Sequence, residues 1–185
     1  MKKAGIAVIG AIGLIAAMVV LSGNKILTYA QKWVGVYEKG KNQGWDNTRL
    51  EKLMKSYGFQ SGWEYCSLFV KMVIGQTLSG KKRDYILNLI SPSSLTTWNN
   101  FINNLGKTDY YTISQKPVPG ALVYYERNLK EWTGHAEIVE KVYANGFTVV
   151  SGNSPVEGNK QGIARRKRSF KDSPGFKRLG YVIIK

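Results

Sequence analysis

Apolar positions fall into three successive patterns along the chain. The first is unbroken: after Met1-Lys2-Lys3, residues 4–21 are eighteen positions without a charge or a proline. At helical rise this run spans about 27 Å, against a hydrocarbon core of roughly 30 Å. It reads as one transmembrane helix and is longer than the usual hydrophobic stretch of a secretory signal. The two lysines place the N-terminus in the cytoplasm. Residues 1–23 are therefore expected to be an N-terminal anchor or uncleaved signal, and residues 24–185 a domain outside the membrane. Cleavage after Ser22 or Gly23 would instead release a secreted domain. No cysteine follows Ser22-Gly23, which excludes lipoprotein processing there.

The second pattern is helical. Asn24 reads as an N-cap before Ile26, Leu27, Ala30, Trp33 and Val34 at helical spacing. A loop follows, with glycines at 35, 40 and 44. A second helix is predicted over 48–57 on Leu50, Leu53, Met54 and Tyr57, stopped by Gly58. A third follows Ser61-Gly62, with Cys66, Phe69, Val70, Val73 and Ile74 as its stripe. A fourth, capped by Ser94, carries Leu95, Trp98, Phe101, Ile102 and Leu105 up to Gly106. After Pro117-Val118-Pro119-Gly120 the pattern changes again. Residues 121–126, 135–142, 147–151, 163–170 and 180–184 read as strands rich in Val, Ile, Tyr and Phe. Helices followed by an antiparallel sheet make an α+β domain.

Composition narrows the chemistry. The chain has 185 residues with 43% hydrophobic and 12% aromatic positions, enough to fill one core. A single Cys and a single His exclude a disulfide framework, a multi-thiolate metal site and a multi-histidine metal site. Thiol or imidazole chemistry must use Cys66 and His135. The formal net charge is +15, and eight basic residues crowd into 164–185 against one acid, Asp172. Such a surface attracts polyanions: nucleic acid, lipid head groups or cell-wall polymers. A nucleic-acid reading lacks a zinc-finger spacing or a helix-turn-helix pattern, and an exported domain would not meet the genome. No specific nucleic-acid binding is expected.

Cys66 opens the third predicted helix, where the positive end of the helix dipole favours a thiolate. A lone cysteine on an apolar stripe is also commonly a small buried hydrophobe, and both readings stand. His135 begins a strand and has a structural reading too. The hairpin after it turns at Ala144-Asn145-Gly146. With a three-residue loop and a left-handed Gly146, residue 137 faces residue 153, and His135 and Asn153 become diagonal neighbours on one face. A two-residue Asn-Gly loop puts them on opposite faces. In the first register Asn153 takes the Nδ1 proton of His135 and leaves Nε2 for the thiol.

Several segments, in order, resemble bacterial and phage CHAP-type cell-wall hydrolases (cysteine, histidine-dependent amidohydrolases/peptidases of the NlpC-like superfamily). The stretch Ala30-Gln31-Lys32-Trp33-Val34-Gly35-Val36-Tyr37-Glu38 and the Asn- and Gly-bearing loop to Gly44 resemble their opening. Gly62-Trp63-Glu64-Tyr65-Cys66-Ser67-Leu68-Phe69-Val70 resembles their nucleophile motif, with Tyr65 where Trp is common. Pro119-Gly120-Ala121-Leu122-Val123, Gly134-His135-Ala136-Glu137-Ile138-Val139 and Ser151-Gly152-Asn153 resemble the later block. Two positions depart from it. Ala121 replaces an Asp, and Glu137 replaces a small residue, so that Glu137 either couples to His135 or points to solvent.

The resemblance implies a papain-like fold, with N-terminal helices packed on a C-terminal antiparallel sheet. It implies Cys66 as nucleophile, His135 as base and Asn153 as third polar residue. Backbone amides near the start of the Cys66 helix would bind the oxyanion, with Tyr65, Trp63 and Glu38 lining the site. The implied partner is peptidoglycan, cut at an amide bond by an endopeptidase or an N-acetylmuramoyl-L-alanine amidase, without metal or other cofactor. Residues 4–21 would tether the enzyme to a bacterial inner membrane or a phage virion membrane. The basic surface would meet anionic wall polymers or lipid head groups. Phage entry or lysis and bacterial wall remodelling both fit, as does an inactive structural or wall-binding protein that keeps the fold.

Overall fold

The computed structural model describes residues 23–127, 134–156 and 160–185. Among them no helix is long and apolar enough to cross a membrane. This overturns the single-pass membrane placement expected from the sequence; the run 4–21 that carried it lies outside the described residues.

Among the described residues five helices come first. Helix α1 (residues 23–31) buries Ile26 and Ala30. In α2 (Thr48–Ser56), Asn47 caps the helix by accepting the Leu50 N–H at 3.0 Å, Leu50 and Met54 face the core, and Gly58 follows the end at φ 97°. Helix α3 (Cys66–Thr77) is buried almost all round, because it packs against α2, α4, α5, β3 and β4 together. The predicted stripe is therefore only part of its apolar surface. Helix α4 (Gly80–Leu89) was not expected: four charged residues follow Gly80, and it buries only Ile86 and Leu89. In α5 (Ser94–Asn103) the cap is Ser93, which accepts the Thr96 N–H at 3.2 Å, so Ser94 becomes the first helical residue. The helix ends earlier than predicted, and Ile102 within it and Leu105 beyond it are both exposed rather than in the core.

Six strands follow among the described residues: β1 (Tyr111–Ser114), β2 (Leu122–Arg127), β3 (Gly134–Tyr143), β4 (Gly146–Pro155), β5 (Gln161–Ser169) and β6 (Phe176–Ile184). They form one antiparallel sheet in the order β1-β6-β2-β3-β4-β5, so the domain is α+β. The short β1 is the strand that was not expected. Alternation along the strands divides the sheet into two faces. Leu122, Tyr124, Ala136, Ile138, Val150 and Val182 pack against the helices. Val123, Tyr125, Val139, Phe147, Val149 and Tyr181 form a second apolar cluster on the face turned away from them.

The β3–β4 register follows neither predicted alternative. Tyr143 pairs with Gly146 across a two-residue turn, Ala144-Asn145, and Gly146 is not left-handed. That register alone would place His135 and Ser151 on opposite faces. The pairing then shifts between Val139 and Lys141, so that Val139 faces Val149 and Glu137 faces Ser151. One extra residue, Glu140, restores parity and brings His135, Glu137 and Ser151 to one face.

Gly152 permits the approach of α3 to β4 beside these residues: a Cβ there would lie 2.8 Å from Phe69 Cβ. Gly152→Ala is expected to cost about 1–3 kcal/mol through overpacking. A chemical-denaturation midpoint equal to the parent's would show that the two elements are not in close contact.

Candidate active site

Cys66 is the first residue of α3. Gly62, at φ 91°, turns the chain toward the helix, and its N–H donates to the Asn42 carbonyl at 2.7 Å. No side-chain hydrogen bond caps α3, so the amides of its first turn are available to an anion arriving in front of them. A cleft of about 510 Å³ opens there, lined among others by Lys41, Asn42, Trp63, Cys66, Ser94 and Gly134.

Within the cleft Cys66 Sγ lies 3.3 Å from Ser94 Oγ, beside the His135 imidazole and the Ala136 N–H. Ser94 is free for this contact because Ser93 takes the capping role. Burial raises the Cys66 thiol, but the charge of His135, their hydrogen bond, the Ser94 hydroxyl and the Ala136 N–H outweigh it. The thiol ends below its ordinary value. For His135, burial favours the neutral ring, yet the Cys66 thiolate and the Glu137 carboxylate hold the imidazolium above its ordinary range. Both shifts run in the direction of a thiolate–imidazolium pair.

The far side of the ring fixes its tautomer. His135 Nε2 lies 2.9 Å from Ser151 Oγ and 3.2 Å from Glu137 Oε1. Ser151 directs its own hydrogen to the Gly152 carbonyl at 3.4 Å and accepts from Ser154 Oγ at 2.8 Å. Both partners of Nε2 are therefore acceptors, and Nε2 carries a proton. Nδ1 is left to exchange a proton with the thiol, the reverse of the expected assignment.

Glu137 is wholly buried and does not point to solvent. Burial pushes its carboxyl up, but His135 and Arg168 hold it well below the usual carboxylate range. Arg168 donates Nε and Nη2 to the two Glu137 oxygens, at 2.9 Å and 2.5 Å, in a bidentate fork. The guanidinium lies over the rings of Phe176 and Tyr125, which stack on each other at 4.3 Å. The sequence reading missed Ser94, Ser151 and Arg168. Only Arg168 left a signal there, as one of the crowded basic residues of β5.

The other expected site residues divide between the cleft and the core. Trp63 lines the cleft and is 42% exposed. Tyr65 is fully buried against Trp45 and Phe59, and its hydroxyl is near Glu38 and the Asn153 N–H. Glu38 is also buried and accepts the Asn42 N–H at 2.5 Å. Asn153 adopts φ 55°, and its side-chain carbonyl has no hydrogen-bond partner. The β4–β5 pairing shifts between Ser151 and Ser154, and this irregularity leaves Ser151, not Asn153, at the ring of His135. Among the described residues no group of three or more His, Cys, Asp and Glu side chains is placed to hold a metal ion.

The thiolate state is measurable. Alkylation of Cys66 by iodoacetamide in the folded chain should rise with pH at a midpoint below the roughly 8.5 of a free cysteine. Ser94→Ala should move that midpoint upward. A midpoint at or above the free value would remove the ion pair.

An α+β domain with a thiol at a helix start, facing an imidazole on the sheet, has the groups that thiol-dependent acyl transfer requires. Residues 56–153 match the family model of the CHAP domain, over half of the chain, and the chain belongs to that family. CHAP domains are in general cysteine amidases or peptidases that act on peptidoglycan. Neither a curated protein nor a solved structure matches the chain significantly.

Proposed function

We propose that the protein hydrolyses an amide bond of peptidoglycan with Cys66 as nucleophile and His135 as acid–base. The observation that carries this reading is the buried Cys66–His135 pair at the start of α3, with Nε2 of the ring satisfied by two acceptors. The Cys66 thiolate attacks the carbonyl carbon, and the first-turn amides of α3 receive the developing oxyanion. The imidazolium delivers its Nδ1 proton to the leaving amine as the C–N bond breaks, giving a thioester. His135 then takes a proton from water, which attacks the thioester, releases the acid and restores the ion pair. Glu137 and Ser151 orient the ring. Endopeptidase and N-acetylmuramoyl-L-alanine amidase chemistry both fit, because the same steps cut either bond. A papain-like arrangement is the fold reading consistent with helix-borne thiol and sheet-borne imidazole.

The signs of the shifts set the pH dependence. Activity should rise as the thiolate forms, at a pH below that of an ordinary thiol. It should fall as His135 loses its proton above the ordinary histidine value near 6.5. The direct test incubates the full chain with isolated peptidoglycan and reads released fragments by mass spectrometry. New amine and carboxyl ends identify the bond. Absence of fragments from several wall types, with the protein shown to be folded, would overturn the hydrolase reading.

A further inference from the structure

Behind the Glu137–His135 pair, on the sheet face turned away from the helices, lies a second cavity of about 150 Å³. Lys167, Arg168, Lys171 and Arg178 line it, with Tyr125 and Phe176 as its apolar wall. Four cations meet one lining carboxylate, Asp172, and a second, Glu137, behind Arg168. The Arg178 guanidinium is held by two neutral acceptors, the carbonyls of Ser169 at 3.3 Å and Phe170 at 2.8 Å. Its position is therefore fixed without a carboxylate opposite its charge. Asp172 Oδ1 accepts the Arg178 backbone N–H at 3.0 Å. Lys167 and Lys171 are exposed and take part in no ion pair among the described residues.

Excess positive charge, a pre-positioned guanidinium and a small pocket are the requirements of a site for one compact anion. The pocket also lies along β5, the edge strand of the sheet, where Arg166 adds a further cation two residues before Arg168. A polymer can run past such an edge and present one charged unit after another. We propose that this pocket binds the phosphodiester groups of a polyanionic cell-wall polymer, with the rings of Tyr125 and Phe176 against the carbons that link the phosphates. This deepens the hydrolase reading and rests on it, since it supplies the contact that holds the enzyme on its substrate. Arg168 lies between the two sites: its fork holds Glu137, and its stacked face borders the pocket.

The test measures binding of soluble poly(glycerol phosphate) to the full chain at two salt concentrations. The parent is compared with a Lys167→Ala/Lys171→Ala double variant and with Arg178→Lys. The double variant is expected to bind roughly tenfold more weakly and with a shallower salt dependence, because exposed cations contribute through screened charge. Its activity on peptidoglycan stripped of phosphate polymers should equal the parent's. Arg178→Lys, which keeps the charge but loses the fork, should also weaken binding. Equal polymer affinity in all three proteins would overturn the proposal. So would an equal loss for polyaspartate, which would show charge without phosphate recognition. Vesicles of phosphatidylglycerol that bind through the same residues, with no binding of the polymer, would overturn the wall-polymer assignment in favour of lipid head groups. Binding is read without turnover, so a failure here is distinct from a failure to release peptidoglycan fragments.

Discussion

Cys66→Ala is expected to reduce peptidoglycan cleavage by roughly ten-thousandfold or more, as removal of a covalent nucleophile does in other hydrolases. The size follows from the mechanism. Without sulfur no thioester forms, and His135 loses the thiolate that keeps it charged against its burial. The ring then reverts toward the neutral form, and the leaving amine has no positioned proton donor. The substitution removes one atom from a buried position on the wall of the cleft, so the fold should survive with a small cavity cost. Cys66→Ser tests the same point differently: its hydroxyl keeps the volume but not the acidity, and it too should be inactive. Wall binding should persist in both variants, because the basic surface does not involve α3. Fragments of equal yield from the parent and Cys66→Ala would take the thiol out of the reaction.

Much of this architecture was readable from local chemistry. Gly58 and the spacing of Leu50, Leu53 and Met54 delimit α2 without reference to the rest of the chain. The position of Cys66 at a helix start was equally local. Helix α4 was not readable, because its four leading charges and two buried residues give no apolar stripe; packing against α3 and α5 stabilises it instead. The site divides in the same way. Cys66 and His135 stand out as the single thiol and single imidazole, whereas the partner of His135 depends on sheet register. One bulged residue, Glu140, exchanges the face that Ser151 presents to β3, and no periodicity announces it. Arg168 reaches Glu137 from a strand that is not its neighbour, so that contact exists only after the whole sheet has formed. The same feature gave Glu137 two readings in the sequence. A carboxylate two residues after a histidine is solvent-facing or coupled according to what the third strand along brings to it.

Glu137→Gln separates orientation from packing. The amide keeps the shape but removes the charge that raises His135, so kcat should fall roughly a hundredfold or more. The alkaline limb of the activity profile should move to lower pH, since the ring then deprotonates more readily. The substitution also leaves Arg168 half-buried without its carboxylate, and breaking such a pair costs about 3–5 kcal/mol. Lost stability alone could mimic lost catalysis, so the informative protein is the double variant Glu137→Gln/Arg168→Met. Methionine removes the stranded charge while keeping an apolar stem between Phe176 and Tyr125. The double variant should regain much of the denaturation midpoint yet retain the low kcat and the shifted limb. Activity that returned together with stability would make the Glu137–Arg168 fork a structural clasp. Stability that returns without activity makes the carboxylate the group that holds the His135 proton at Nε2, and it explains why a buried charge is kept at that point of the sheet.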